Sequence, residues 1–385
     1  MGYDARRNLP LDLLRAAAVA LVFLAHMPAT EGYGALGDAL LARARRSGPV
    51  GLDLFFVLSG FLVSGLLFRE LTRHGSVAVG RFLVRRGLKI YPAFYVFLAA
   101  LVAERAVRTG AVPWTRVASE ALFVQNYFPS LISHTWSLAV EEHFYLAVPF
   151  VIVGLARRPS GLRLLPVIYA VSALATLALR WRVAATSEFT HGTHLAPTHL
   201  RFDALLLGVV LARVYATRRD AFLAFARRLR LPLLGAGAVG LALRAVTEPQ
   251  GTFDLTLGVL LRSWCMAALL VGALGTELRP GPVLRAIAFV GSHSYSVYLW
   301  HITTRHWWDE LAERATGHVL TPWLRLAVFF AGSIGVGVLL SLLVEFPVIR
   351  IRDRVFPSRS GGALEAPEPR QEPGPEPERA NPAAP

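Results

Sequence analysis

Apolar runs of bilayer length, separated by short arginine-rich links, recur along this chain and leave it few folds to choose from. A helix needs about 20 apolar residues to cross the hydrocarbon core. Ten stretches meet or approach that length, at about 11–29, 49–68, 89–104, 135–156, 162–180, 199–216, 229–246, 255–276, 283–302 and 322–345. Inside a bilayer each backbone amide must be satisfied within its own segment, so these runs are read as helices and the fold class as all-α, a polytopic membrane protein. With 54% hydrophobic residues among 385, the chain holds more apolar material than a soluble core of this length uses. No period of 20 to 50 residues recurs, so a repeat architecture is unsupported.

The net charge of +14 might suggest nucleic acid, but the arginines fall in short loops between apolar runs, where membrane orientation explains them better. Counted loop by loop, they are densest on the side that carries both termini, which sets N-in and C-in and points to a multi-pass protein of the cell's inner (plasma) membrane. Arg6 and Arg7 precede the first run as in a signal peptide, yet that run is long and contains Asp12 and Arg15, so it is read as a retained helix. The expected organisation is a cytoplasmic N-terminus at 1–10, a transmembrane domain at 11–356 and a cytoplasmic tail at 357–385, whose Pro, Glu, Gly and Ala composition predicts disorder. The single cysteine, Cys265, excludes an intrachain disulfide and reads as a small core residue.

Ionisable groups inside a span are costly and usually mark a working site. Arg15 and His26 lie eleven residues apart on the first run, which places them within roughly 20° of each other and about 16 Å apart along a helix. One face thus carries a cation near one end and a proton acceptor near the other, with Asp12 one turn before Arg15 to neutralise it. Asp53, at the outer end of the second run, sits at a depth similar to His26, where a carboxylate can orient an imidazole; a solvated interfacial aspartate is the plain alternative. The small residues Ser59, Gly60, Ser64 and Gly65 of that run suit close helix packing.

Arg85, Arg86 and Lys89, at the inner mouth of the third run, fall within about one turn and can grip phosphate oxygens, although an ordinary basic loop on anionic lipid has the same composition. Glu141 and Glu142 stand side by side in the fourth run among Trp136, Phe144 and Tyr145. Adjacent helical residues point about 100° apart, so at most one glutamate is expected to face the cavity of His26 while the other ties to a neighbouring helix. Ser137 is one turn before Glu141 and placed to bond it, and structural ion pairing to Arg15 or another arginine is a further alternative. His191, His194 and His199 share an outer loop, but no HExxH spacing or partner carboxylate accompanies them, so no metal is expected and contact with a polar acceptor suits them better. Arg201 and Asp203 enter the sixth run. Tyr295, Tyr298, Trp300 and His301 read as an aromatic rim at the outer interface, and Glu345 as a structural partner of Arg350.

Taken together, Arg15 with ten residues before His26, GLDLFFVLSGFL, RRGLKIYP, TWSLAVEEHFYL, RFDALLLG and SYSVYLWH resemble the membrane-bound acyltransferase-3 family, over about residues 8 to 355. Each motif is weak alone; six in order on ten spans are specific. The resemblance implies transfer of an acyl group, often acetyl, from cytosolic acyl-CoA to a hydroxyl of a glycan, glycolipid or secreted metabolite. Acyl-CoA enters as a co-substrate, with no tightly bound cofactor. It maps the family's arginine and histidine pair onto Arg15 and His26, and its basic motif onto Arg85 and Arg86, followed by Tyr91. Lys89 stands where a second arginine is usual and keeps the charge without the bidentate fork. His143 stands where glutamine is common. Some relatives carry a fused extracytoplasmic hydrolase-like domain, which is not expected here.

These readings converge on one chemistry. Phosphates would sit on Arg85, Arg86 and Lys89, and His26 would take the proton of an attacking hydroxyl or carry the acyl group itself. Glu142 or Asp53 would fix the imidazole tautomer, and Arg15 would steady the thioester oxygen. Glu141, Trp136, Arg201, Asp203 and His301 are the acceptor-side candidates, with membrane lipid as the other partner and no nucleic acid. A proton-coupled transporter or a lipid or glycan flippase would also explain intramembrane Arg15, His26, Glu141 and Glu142.

Overall fold

The computed structural model describes residues 8–28, 31–318 and 320–361. Most of the N-terminal segment and residues 362–385 of the expected tail lie outside the described residues. The described chain is helical, in the order α1 (Leu9–His26), α2 (Val50–His74), α3 (Val79–Thr109), α4 (Trp136–Ala156), α5 (Leu165–Thr186), α6 (Phe202–Thr217), α7 (Arg230–Val246), α8 (Leu257–Leu274), α9 (Ser294–Thr316), α10 (Pro322–Leu340) and α11 (Phe346–Val355), with short helices between.

Each of the ten apolar runs contains a helix, but only seven stretches among the described residues are long and apolar enough to cross a bilayer, or eight if a bent pair at 219–246 counts as one span. The expected ten therefore exceeds what helix length supports. The α6 helix has 16 residues and α7 has 17. The run at 283–302 is divided at His293 into Pro282–Ser292 and the polar-tailed α9. The chain is a multi-pass membrane protein all the same.

Three close approaches hold the centre. A Cβ on Gly60 of α2 would stand 2.0 Å from the Leu205 carbonyl oxygen of α6, and one on Gly208 would stand 2.3 Å from the Val57 oxygen. Only glycine lets these two backbones touch. Gly291 meets α1 in the same way, 1.8 Å from the Asp12 oxygen. By contrast Gly65, read from sequence as a packing residue, faces open space. Cys265 packs against Gly240 of α7. The α1 helix starts where Asn8 accepts a bond from the Leu11 amide (3.3 Å) and Asp12 lies in the first turn, favourable to its positive end.

A five-residue π-helical turn, Ser341–Glu345, joins α10 to α11 and swings α11 under α3. The chain then folds back. Pro357 to Gly361 line the cavity described below, so the first residues of the expected tail are packed in the structure.

Candidate active site

A cavity of about 850 Å³ opens at the end of the bundle where α1 begins. Its mouth carries Arg81, Arg85, Arg86, Lys89, Arg352 and Arg359; its deep end is closed by Phe56, Ser137, Leu138 and Tyr298. Arg15 lines it, paired with buried Asp12 as the spacing predicts. This volume falls within the usual range for ligand sites, with convergent polar groups on apolar walls.

The basic cluster is not bare. Arg85 donates to the Phe356 carbonyl and to Asp353 (2.9 Å), and Arg81 donates twice to the Pro357 carbonyl (2.7 and 3.1 Å). Arg86 turns inward, its guanidinium 4.1 Å from the centre of the Tyr145 ring, and its buried Nε has no hydrogen-bond partner among the described residues. Tyr91 is absent from the lining; its hydroxyl donates to Glu142 from behind the wall.

Both glutamates line this cavity, which His26 does not reach, and each is tied to a neighbouring helix. The cavity is wide enough to wrap their two directions on α4. Glu141 accepts from Ser59 of α2, which in turn accepts from Tyr145 (3.1 Å). Ser137 does not bond Glu141; its hydroxyl pairs with that of Tyr298 (2.6 Å). Neither glutamate forms an ion pair with Arg15, whose carboxylate partner is Asp12. Glu345 also lines the cavity and accepts from Ser296 (2.8 Å) and Ser341 (3.0 Å), not from Arg350. The π turn gives it that aim, and a sequence read at 3.6 residues per turn carries no trace of it.

His26 is not on the cavity wall. Between them stands a partition two side chains thick. Tyr298 closes the cavity and donates to the His134 carbonyl (2.7 Å), while its ring lies 5.6 Å from that of His301, and His301 touches His26. Although Arg15 and His26 lie on one face of α1, the way from one to the other is therefore closed by Tyr298 and His301. The four residues expected as an interfacial rim lie inside the bundle instead: Tyr298 and His301 form this partition, Trp300 is buried against Phe97, and Tyr295 lines the cavity and donates to the Ile90 carbonyl (3.0 Å).

The tautomer of His26 follows from its neighbours. Its Nδ1 lies 3.0 Å from the Val22 carbonyl oxygen, and a carbonyl can only accept, so Nδ1 carries the proton in the neutral ring. No hydrogen bond among the described residues reaches Nε2, whose lone pair is left as a base. Arg305 donates to the backbone oxygen of His26 (2.8 Å).

Neither carboxylate expected to orient His26 does so. Glu142 is bonded to Tyr91, and Asp53 is buried between Arg201 (2.5 Å) and Arg262 (3.2 Å), with Arg262 continuing to Asp254 (2.7 Å). Two buried guanidiniums outbid a distant imidazole for one carboxylate. The same chemistry removes two acceptor-side candidates. Arg201 is committed to Asp53, below the rings of Phe56 and Trp136 (5.2 and 5.9 Å), and Asp203 holds Arg180 with two bonds (2.7 and 3.0 Å). Trp136 is buried but touches His191 at 5.4 Å, toward the face opposite the arginines. Burial pushes His191 and His199 below the usual imidazole range, so both are neutral at neutral pH. Among the described residues no three side chains are grouped as metal ligands.

His134 went unread in the sequence. It lies beside the TWSLAVEEHFYL stretch, and only the three-dimensional approach of the Ser133–Thr135 turn to α9 reveals it, 5.0 Å from the His301 ring.

A family model described as an acyltransferase domain, of the acyltransferase-3 group, matches residues 8–342. Among curated proteins, the chain is similar to O-acetyltransferase OatA of Staphylococcus aureus (strain NCTC 8325 / PS 47), 25% identical over 320 residues covering 77% of this chain and 50% of the relative. It is also similar to peptidoglycan O-acetyltransferase OatA of Listeria monocytogenes serovar 1/2a, 27% identical over 330 residues, 77% of this chain and 49% of the relative. The chain thus spans about half the length of the curated relatives it matches. No solved structure matches it significantly.

Proposed function

From the premise that the chain belongs to the acyltransferase-3 family, we propose that it is an integral-membrane O-acyltransferase. It moves an acetyl group from acetyl-CoA, held at the arginine-lined mouth, to a hydroxyl of a saccharide reaching His26 from the opposite face. The observation that carries this reading is one cavity, cationic at its mouth, ending at Tyr298, with His301 the one further ring before an imidazole whose Nε2 lone pair is uncommitted. Fixed guanidiniums suit the coenzyme's phosphates, and the named activity of the relatives supports acetyl and peptidoglycan as the group and the acceptor class. The arginine-lined face is the cytosolic one in this reading, since acyl-CoA is cytosolic.

In the reaction, the acceptor oxygen forms a bond to the thioester carbon and the carbon–sulfur bond breaks. The hydroxyl proton passes to Nε2 of His26 and from there to the departing thiolate, so no external acid is consumed. Tyr298 must give up its bonds to Ser137 and to the His134 carbonyl once per cycle to open the end of the cavity to the acetyl group, a gating step of the kind that often limits turnover.

Purified protein in detergent, given acetyl-CoA and soluble peptidoglycan oligosaccharides, is expected to release thiol and acetylate the sugar. His26→Ala should abolish both and leave acetyl-CoA binding measurable. Normal turnover by that variant, or none by the parent, contradicts the assignment. A carrier would need two sealed compartments to show any activity.

A further inference from the structure

His301 is completely buried, yet both its ring nitrogens are engaged. Its Nδ1 lies 2.5 Å from the Tyr298 carbonyl oxygen, which can only accept, so in the neutral ring the proton is on Nδ1 and Nε2 is an acceptor. That Nε2 lies 3.2 Å from Nδ1 of His26. The proton on His26 Nδ1 is therefore shared between the Val22 carbonyl and His301, and both assignments agree without any ring being charged.

We propose that His301 is a positioning residue for His26. It accepts from Nδ1–H, holds the tautomer that exposes the Nε2 lone pair, and supports the imidazolium that forms when Nε2 takes the hydroxyl proton. This is the task a carboxylate performs in hydrolytic triads, done here by a neutral ring that adds no charge to a buried site.

The ring is held to that task from three sides. Phe23 stacks on it at 5.1 Å with 18° between planes, His134 abuts it edge-on at 5.0 Å, and its own Nδ1 is fixed by Tyr298. His134 is itself anchored by donation from Nε2 to the Leu299 carbonyl (3.0 Å). The inference rests on the reading of His26 as the base.

The test separates packing from positioning. His301→Phe keeps an aromatic ring against Phe23 and deletes the acceptor; His301→Gln places an amide oxygen near the position of Nε2. With acetyl-CoA and peptidoglycan oligosaccharides, H301F is expected to lose kcat by about 100-fold with the acetyl-CoA KM within about twofold, because the coenzyme's handle lies at the distant mouth. H301Q is expected to recover most of that loss. Wild-type kcat in H301F, or an H301Q as impaired as H301F while both remain monodisperse, overturns the proposal. Should H301F fail to fold, His301→Leu takes its place against H301Q under the same criteria. Loss of activity in H26A with full activity in H301F removes only the role of His301, whereas a parent protein without transfer removes the reading of His26 beneath it.

Discussion

Glu120, on the Trp114–Ala121 helix outside the membrane-crossing segments, shows how one side chain shapes the site from a distance. It is 1% exposed, and its Oε1 accepts from the Leu131 amide (3.0 Å), the Ile132 amide (3.4 Å) and the Thr135 hydroxyl (3.1 Å), so it folds the turn that delivers His134. Burial pushes its carboxyl up to about 7 from 4.5, and the three hydrogen bonds, which favour the charged form, offset only part of that rise. A folded-state value above the unfolded one gives a contribution that is fully present below pH 4.5 and lost as pH rises through 7. Thermal unfolding in detergent is thus expected to fall in temperature between about pH 5 and pH 8. Glu120→Gln, a neutral acceptor, should flatten that slope; equal slopes in both proteins would contradict it. Nothing in the sequence around Glu120 announces this role, because its partners lie 11 to 15 residues away across a loop.

Helices, by contrast, were largely legible. Hydrophobic runs locate most of α1 to α10, because a membrane segment is specified by composition, but α3 (Val79–Thr109) begins well before the run at 89–104 and α9 (Ser294–Thr316) extends well past the run at 283–302. Their contacts were less so. Gly60 and Gly65 look alike in sequence, five residues apart, yet one touches the α6 backbone and the other touches nothing within 4 Å. Gly60→Ala is expected to force α2 and α6 apart, since a carbonyl oxygen cannot swing away as a side-chain tip can, and to cost about 1–3 kcal/mol. Gly65→Ala should leave the melting temperature unchanged. Scanning fluorimetry of the two variants decides it, and equal shifts would show that the seam tolerates a methyl group. The π turn at Ser341–Glu345 belongs to the same class: it re-aims Glu345 into the cavity, and no pattern of apolar residues encodes it.

At the scale of the whole molecule the protein has two chemically distinct ends. The arginine-lined mouth lies where α1 begins and α2 finishes; His26, His191 and Arg305 lie at the other end. If the first end is cytosolic, Ser76→Cys in a Cys265→Ser background should react with a membrane-impermeant maleimide only after cells are opened, and Glu188→Cys should react in intact cells. Both positions are exposed. The reverse pattern would invert the proposed path of the acyl group. The Pro357–Gly361 stretch, expected from composition to open a disordered tail, meets Arg81, His74 and Glu70 at that mouth, through the carbonyls of Pro357 and Arg359 and the Arg359 guanidinium, contacts that composition alone leaves uncounted.

The sequence by itself determined the class of fold, the membrane, the family, and the pairing of Arg15 with Asp12, since these depend on composition and on neighbours within one helical turn. Tertiary structure alone decided which partner each buried charge took. Asp53 went to Arg201 and Arg262, Glu142 to Tyr91, and His26 to His301, 275 residues away. Inside a low-dielectric bundle an unpaired polar group is costly, and which partner each one finds depends on distances between helices that no local spacing records.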